Sequence, residues 1–488
     1  MIERGSSLPV SPGRAASRVF RVPLQVSERR LLLVGMDLLA VNGALILALG
    51  VRSHLVTLDP LIDHPSWFAI LTGLWLAISY ALDAYEPHVT SRFEASPRAV
   101  IKAGLLTAGL YLLLPRVTPP LPGSRLALES FPVFLVLALL AGRRLYTWAL
   151  PTPVYERHTL IVGAGRAGQT VAQALLNEGH SGYQVVGFID DDPAKAGALV
   201  PVGDERPSQA GLPILGNRRT LKDVIGAHRI STLILAITGD VDADLLQTLM
   251  DCVEKGVEIA PMPVVYEQLT GRVPVEHVGE KWYAAIPAPS TMTSPLWQLA
   301  KRSLDILLAG VGLVVLLSLL PFIALAIVLD TPGPVFYSQE RIGKGGVVFR
   351  AFKFRSMIRG AEHGEALWAK ERDSRVTRVG RFLRASHLDE FPQFLNVLRG
   401  EMSIVGPRPE RPEFVERLAR ELPIYRLRHV VKPGMGGWGL VRQGYAGSPG
   451  DVLLRLQYDL YYIKHQSLWL DLLIVLKTIA HAVTLKGR

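Results

Sequence analysis

The chain has 488 residues, 49% of them hydrophobic and 20% charged, with a formal charge of +10. Its mean hydropathy of +0.26 excludes a wholly soluble protein and implies membrane segments. The basic excess is what cytoplasmic Lys and Arg beside membrane spans produce. Nucleic acid is excluded as a partner, because no basic recognition helix or aromatic stacking motif accompanies the charge.

Residues 1–30 carry Pro9, Pro12, Gly13 and six arginines, the composition of a basic tail on the cytoplasmic surface. A signal peptide is not expected: the apolar run that follows is too long for a signal core, and no small-residue cleavage site ends it. Four apolar segments, at 31–51, 67–82, 99–114 and 126–149, predict a four-helix transmembrane bundle. A span needs about 20 apolar residues, which the first and fourth supply and the second and third approach. The loop after the second segment holds Arg92, Arg98 and Lys102, and Arg143 and Arg144 close the fourth. The positive-inside rule therefore places both ends of the bundle in the cytoplasm. Asp37 and Asn42 fall inside the first segment and are expected to face neighbouring helices as packing contacts.

Residues 154–270 read as a Rossmann-like α/β domain. Short apolar strands at 158–162, 185–189, 232–237 and 257–261 alternate with helices at 169–178 and 244–255, the pattern of a parallel, doubly wound sheet. The loop Gly163-Ala-Gly-Arg-Ala-Gly168 follows a strand and opens a helix, and Asp190 stands about 20 residues on. Gly163, Gly165, Gly168 and Asp190 are thus candidates for holding a nucleotide. Equally, the glycines serve only the turn and the strand–helix packing. No hydride-transfer machinery is apparent. Cys252, the only cysteine, lies in a helical stretch and is expected to be a buried structural thiol. It allows no intrachain disulfide or Cys metal site and fits a reducing compartment. Residues 271–300 contain Gly271, Pro274, Pro287, Pro289 and Pro295 and read as a surface linker.

The third unit, 301–488, opens with an apolar stretch at about 303–329 that contains Ser318 and Pro321. Basic residues stand at both of its ends, Lys301 and Arg302 before, Arg341, Lys344 and Arg350 after. Proline removes a helical donor and clashes with the preceding turn. A re-entrant membrane helix, broken near Ser318 and Pro321, satisfies the charges better than a straight span. Further on, an adjacent carboxylate pair, Asp389-Glu390, is flanked by Arg378, Arg381, Arg384, Arg399 and Arg408. Neighbouring carboxylates can divide the roles of nucleophile and metal ligand, bidentate Arg suits phosphate oxygens, and Mg²⁺ joins one or two carboxylates to substrate phosphates. Together they suggest phosphoryl transfer. A surface ion-pair cluster is the bland alternative.

Several motifs of this unit resemble those of the bacterial sugar transferase, or monotopic phosphoglycosyl transferase, family. They are Lys301-Arg302-x-x-Asp305, Gly333-Pro-Val-Phe336, Lys353-Phe-Arg-Ser-Met357, Leu388-Asp-Glu-x-Pro-Gln393, Asn396-Val-Leu-x-Gly400, Met402-Ser-x-Val-Gly-Pro-Arg-Pro409 and Lys432-Pro-Gly434. The N-terminal half resembles the long-form members that begin exopolysaccharide, capsule or O-antigen units. The resemblance implies an enzyme of the bacterial inner membrane, with both termini and the catalytic domain in the cytoplasm, that moves hexose-1-phosphate from a UDP-sugar to undecaprenyl phosphate and releases UMP. UDP-glucose and UDP-galactose are the leading donors. It implies Asp389 as nucleophile, forming a phosphosugar–Asp intermediate, and Glu390 helping Asp389 hold Mg²⁺. Arg384, Arg408, Lys353, Arg355 and Asp459 of the Tyr-Asp motif become candidates for binding phosphate or substrate. Family members commonly place Ser and Pro side by side at the helix break; here two leucines separate Ser318 from Pro321. The middle domain is expected to regulate the enzyme or to help form a homodimer.

Two other readings stay open. A membrane nucleotide-sugar dehydratase could share the front half, but needs a Tyr-x-x-x-Lys pair that this chain lacks. A non-catalytic scaffold of polysaccharide assembly would not need Asp389-Glu390 and its arginines.

Overall fold

The computed structural model describes residues 26–53, 59–82, 84–85, 96–114, 118, 125–149, 157–177, 182–202, 211–237, 242–277, 294–361, 373–443 and 449–483. Nearly all of the basic tail and most of the linker lie outside the described residues. The chain forms two compact units: residues 1–72 with 104–155, and residues 73–103 with 156–488.

The N-terminal part is helical: α1 Val26–Ser53, α2 Asp59–Asp63, α3 Pro65–Ala81, α4 Ser96–Leu112 and α5 Arg125–Ala149. Within the first unit, polar groups pair across helices as expected. Asn42 on α1 donates to the Thr72 hydroxyl on α3 at 3.0 Å. The buried Asp37 meets Arg143 of α5 at 2.8 Å. Among the described residues, two helices are long and apolar enough to cross a bilayer: Leu31–Gly50, and the 36-residue helix Pro295–Asp330 of the second unit. The α3 helix is apolar but shorter, and α5 has the length but carries Arg143 and Arg144 near its end.

The Rossmann-like domain is a six-stranded sheet in the order β3-β4-β2-β1-β5-β6. Its strands are β1 Arg157–Val162, β2 Tyr183–Ile189, β3 Leu199–Val200, β4 Leu212–Gly216, β5 Thr232–Leu235 and β6 Glu258–Pro261. All neighbours run parallel except β3 with β4. The helices α6 Arg166–Asn177, α7 Leu221–His228, α8 Ala243–Glu254 and α9 Met262–Thr270 cover it. Leu160 and Ile161 are fully buried into two separate cores, as successive residues of a strand covered on both faces must be. Cys252 is buried on α8, where burial pushes its thiol pKa up.

The C-terminal domain opens with α10 Pro295–Asp330. The helix starts inside the expected linker because Ser294 caps it and Pro295 sits at its first position, where the fixed φ and missing donor of proline cost nothing. Nor does it break at the expected place. Helix runs on through Pro321, while Ser318 donates to the Val314 carbonyl at 3.0 Å. One face buries Ala309 in one apolar cluster of this domain and Leu316, Ile323 and Ile327 in a second. The opposite face leaves Leu307, Val314, Leu317, Phe322, Leu325 and Leu329 exposed, an apolar stripe that water would not favour. Both ends are tied to the same domain. Near the start, the Asp305 carboxylate accepts from the Ser403 hydroxyl and the Ile404 amide. At the end, the Asp330 carboxylate accepts from the Val379 amide at 2.9 Å.

There follow the antiparallel hairpin β7 Phe336–Ile342 and β8 Val348–Phe354, then α11 Arg378–Ala385, α12 Phe394–Arg399, β9 Ser403–Val405 and α13 Pro412–Glu421. Next come β10 Gly434–Gly436, parallel to β9, α14 Trp438–Gln443, α15 Pro449–Lys464 and α16 Leu468–Val483.

Candidate active site

Asp389 and Glu390 lie in a short 3₁₀ turn, Leu388–Gln393, between α11 and α12. His387 enters this turn with φ +56°, a left-handed conformation that non-glycine residues rarely adopt. It redirects the chain so that both acids point inward, and both are buried. The buried Asn396 holds the floor. Its side-chain amide donates to the Arg350 carbonyl at 2.7 Å, and its oxygen accepts from the Phe352 amide at 3.1 Å. The turn is thereby stitched to β8, which supplies Lys353.

The two acids have opposite surroundings. Glu390 is clamped: Lys353 Nζ lies 2.7 Å from Oε1, and Arg408 donates through both terminal nitrogens, at 2.8 Å to Oε1 and 3.4 Å to Oε2. Burial alone would raise its pKa, but Arg408 and Lys353 outweigh burial and hold the carboxyl far below the usual range. Asp389 accepts no hydrogen bond from the described residues. Burial raises its pKa, with the Glu390 charge adding to this, and Lys353, Arg384 and Arg408 partly offset both. It is thus a carboxylate with open lone pairs facing a cationic wall. Burial also lowers the Lys353 pKa, against the pull of Glu390.

Of the residues expected to bind phosphate, Lys353 and Arg408 contact Glu390, and the Arg384 charge acts on Asp389. Arg384 itself donates from Nε to the Ser356 hydroxyl at 2.9 Å. Arg355 corrects the expectation. Its guanidinium caps the C-terminal end of α10, donating to the carbonyls of Ile327, Thr331 and Pro332, a role that suits a cation at the negative end of a helix. Gly333, with φ +139°, makes room: a Cβ there would lie 2.1 Å from Arg355 Nη1. Asp459 also differs from the expected substrate ligand. It pairs at 2.6 Å with Arg428, and both side chains are buried. Arg428 was not singled out in the sequence. It also donates to the Arg408 carbonyl at 3.1 Å, so it braces the main chain of a phosphate-binding candidate. Its position four residues before Lys432-Pro-Gly434 was the only available signal.

In the Rossmann-like domain, Gly163 takes φ +106°, and a Cβ on Gly168 would lie 1.9 Å from the Gly163 carbonyl oxygen. Those two glycines serve the turn and the close strand–helix approach. Gly165 faces open space. Asp190 is engaged locally: it accepts from the Ala164 amide at 2.8 Å and the Asp192 amide at 3.0 Å, and pairs with Lys195 at 3.3 Å.

No group of three His, Cys, Asp or Glu poised to hold a metal occurs among the described residues. The donor set at the acid pair nevertheless fits Mg²⁺, a hard cation that is held by one or two carboxylates and takes its remaining ligands from water and substrate phosphates. Asp389 offers unused oxygens for this, with Glu390 beside it.

The bacterial sugar transferase family model matches residues 296–485, and a CoA-binding domain model matches residues 80–263. The UDP-N-acetylgalactosamine-undecaprenyl-phosphate N-acetylgalactosaminephosphotransferase of Aeromonas hydrophila is 39% identical over 288 residues, 59% of this chain and 67% of that protein. The chain belongs to the bacterial sugar transferase family. Other relatives in the family are two UDP-glucose:undecaprenyl-phosphate glucose-1-phosphate transferases. That of Escherichia coli strain K12 is 32% identical, covering 66% of this chain and 67% of that protein. That of Xanthomonas campestris pv. campestris is 34% identical, covering 66% of each. The family match takes in the whole acid-pair site, from Lys353 to Asp459.

Proposed function

We propose that this protein is an undecaprenyl-phosphate sugar phosphotransferase that moves a sugar-1-phosphate from a UDP-sugar to undecaprenyl phosphate and releases UMP, with Asp389 as nucleophile. The observation that carries this reading is the asymmetry of the acid pair, in which Glu390 is locked between Lys353 and Arg408 while Asp389 keeps its lone pairs open. Asp389 attacks the β-phosphorus of the donor, and the bond from that phosphorus to the bridging oxygen breaks. UMP leaves with the electron pair, and a phosphosugar–Asp mixed anhydride remains. An oxygen of the lipid phosphate then attacks the same phosphorus, the carboxylate leaves, and the sugar is carried on a polyprenyl diphosphate. Covalent capture splits one hard step into two. Asp389 must be ionised to attack, and the surrounding cations favour that form against burial. Arg408, Lys353 and Arg384 supply positive charge where phosphate oxygens gather charge. Asp389 and Glu390 would hold Mg²⁺, which would supply positive charge to the diphosphate.

The named relatives divide between N-acetylgalactosamine and glucose, so the donor is tested as a panel of UDP-glucose, UDP-galactose and UDP-N-acetylgalactosamine. We place the enzyme in the bacterial inner membrane at the first membrane step of surface-polysaccharide assembly. Helices α1, α3, α4 and α5 form its transmembrane bundle, and α10, continuous but bent at Pro321, dips into the membrane and returns on the cytoplasmic side. Supporting this topology are the exposed apolar stripe of α10 and the tethering of both its ends to one domain. Cysteines placed at Leu296 and Thr331 should both react from the cytoplasmic side of sealed vesicles. Reaction from opposite sides would contradict it. UMP release that requires lipid phosphate tests the reaction itself, and UDP release would contradict the mechanism.

A further inference from the structure

The Rossmann-like domain and the catalytic core meet through residues 262–277 and α15. Glu267 of α9 is only 4% exposed, yet it carries a carboxylate. Lys464 Nζ lies 2.9 Å from one of its oxygens and His465 Nε2 3.1 Å from the other. Around it, Trp438 donates to the Gly271 carbonyl at 3.0 Å, the Val273 amide donates to the Gln457 carbonyl at 3.1 Å, and Arg272 lies over the Tyr458 ring at 5.2 Å. A buried carboxylate is tolerable only when its partners stay in place. Glu267 therefore fixes the C-terminal end of α15.

The same helix presents Asp459 to the active-site side. Asp459 holds Arg428 at 2.6 Å, and Arg428 Nη2 donates to the Arg408 carbonyl at 3.1 Å. Arg408 in turn clamps Glu390. These contacts, with the α15 backbone between Lys464 and Asp459 and the Arg408 main chain between Arg428 and the Arg408 guanidinium, connect the middle domain to the acid pair. Glu267 lies outside both family matches, which end at residue 263 and begin at residue 296.

We propose that the Rossmann-like domain is a positioning element of the transfer reaction: Glu267 sets α15, and α15 sets Arg408 through Asp459 and Arg428. The inference rests on the proposed function for its kinetic arm only. The test uses the full-length protein in lipid nanodiscs, with Glu267→Gln and with the charge swap Glu267→Lys plus Lys464→Glu. Amide hydrogen exchange is read over 449–464 and 425–430, and UMP release is measured across donor concentrations. Glu267→Gln should speed exchange in both segments and lower kcat/KM by about three- to thirty-fold, the span of typical coupling energies. Most of that loss should appear as a lower kcat, because Arg408 supplies positive charge to the transferring phosphate. The charge swap should move both readouts back toward wild type. Unchanged exchange at 425–430 in Glu267→Gln would overturn the proposal, as would a charge swap that recovers nothing. If the wild type itself releases no UMP, the functional reading fails, and exchange alone decides the positioning claim.

Discussion

Two loops in this protein carry phosphate-site signatures, and they spend their polar groups differently. In the Rossmann-like loop the acid is paired locally: Asp190 accepts two amides and a lysine, and Gly168 is required by its contact with the Gly163 carbonyl. In the catalytic turn one carboxylate is fully engaged and its neighbour is left open. A site built for chemistry keeps an acceptor unsatisfied where a reacting atom must arrive, whereas a loop built for folding does not. The difference lies in the hydrogen-bond inventory and not in the motif.

The comparison can be broken or sharpened by substitution. The largest effect after Asp389 itself is expected at Arg408. Arg408→Ala removes a bidentate donor from Glu390 and a cation from the phosphate site, and should cost about 10²- to 10³-fold in kcat, the usual loss for one charge-stabilising donor; a loss under about ten-fold would show that Arg408 serves only structure. Gly168→Ala is next, and it should act on stability. Its Cβ would overlap the Gly163 carbonyl, so the midpoint of chemical unfolding should fall by the equivalent of about 1–3 kcal/mol, while the turnover of the molecules that remain folded stays near wild type. Arg355→Ala strips hydrogen bonds from three carbonyls at the end of α10. It should destabilise by about 1–3 kcal/mol, seen in the same unfolding measurement, with KM for the UDP-sugar unchanged; a raised KM would return Arg355 to the substrate site. The smallest effect belongs to Gly165→Ala, which meets nothing within 4 Å and should leave unfolding unaltered. If Gly165→Ala changes nucleotide binding or turnover by more than about three-fold, beyond the surface-substitution range, the loop holds a ligand and the contrast drawn above fails.

Much of this architecture was legible in the sequence. The parallel strands announced themselves as short apolar runs broken by glycine and acid, and the observed strands β1 and β2 begin and end within a few residues of the expected ones. The acid pair was legible through its company, the apolar stretch before it and Gly406-Pro-Arg-Pro409 after it, since adjacent carboxylates among arginines by themselves read as a surface ion-pair cluster. Pro295 was misread as linker because proline's meaning depends on whether it opens a helix or interrupts one. Pro321 was expected to break α10, but the helix bears the loss of one donor, with Leu319 and Leu320 packed against the core beside it. Arg355 looked like a phosphate ligand since charge and motif are visible in a sequence, while the direction of a guanidinium is decided by tertiary placement. Arg428 and Glu267 were missed for a related reason. Each matters through a partner 31 or 197 residues away, a separation at which a single sequence carries no pairing signal.

The most direct test is UMP release by the purified full-length protein with Mg²⁺, undecaprenyl phosphate and the three UDP-sugars, beside Asp389→Asn. The account predicts lipid-dependent UMP from at least one sugar, a phosphosugar adduct on the wild-type chain when lipid is withheld, and loss of both in Asp389→Asn. Release of UDP, or undiminished UMP from Asp389→Asn, would contradict it.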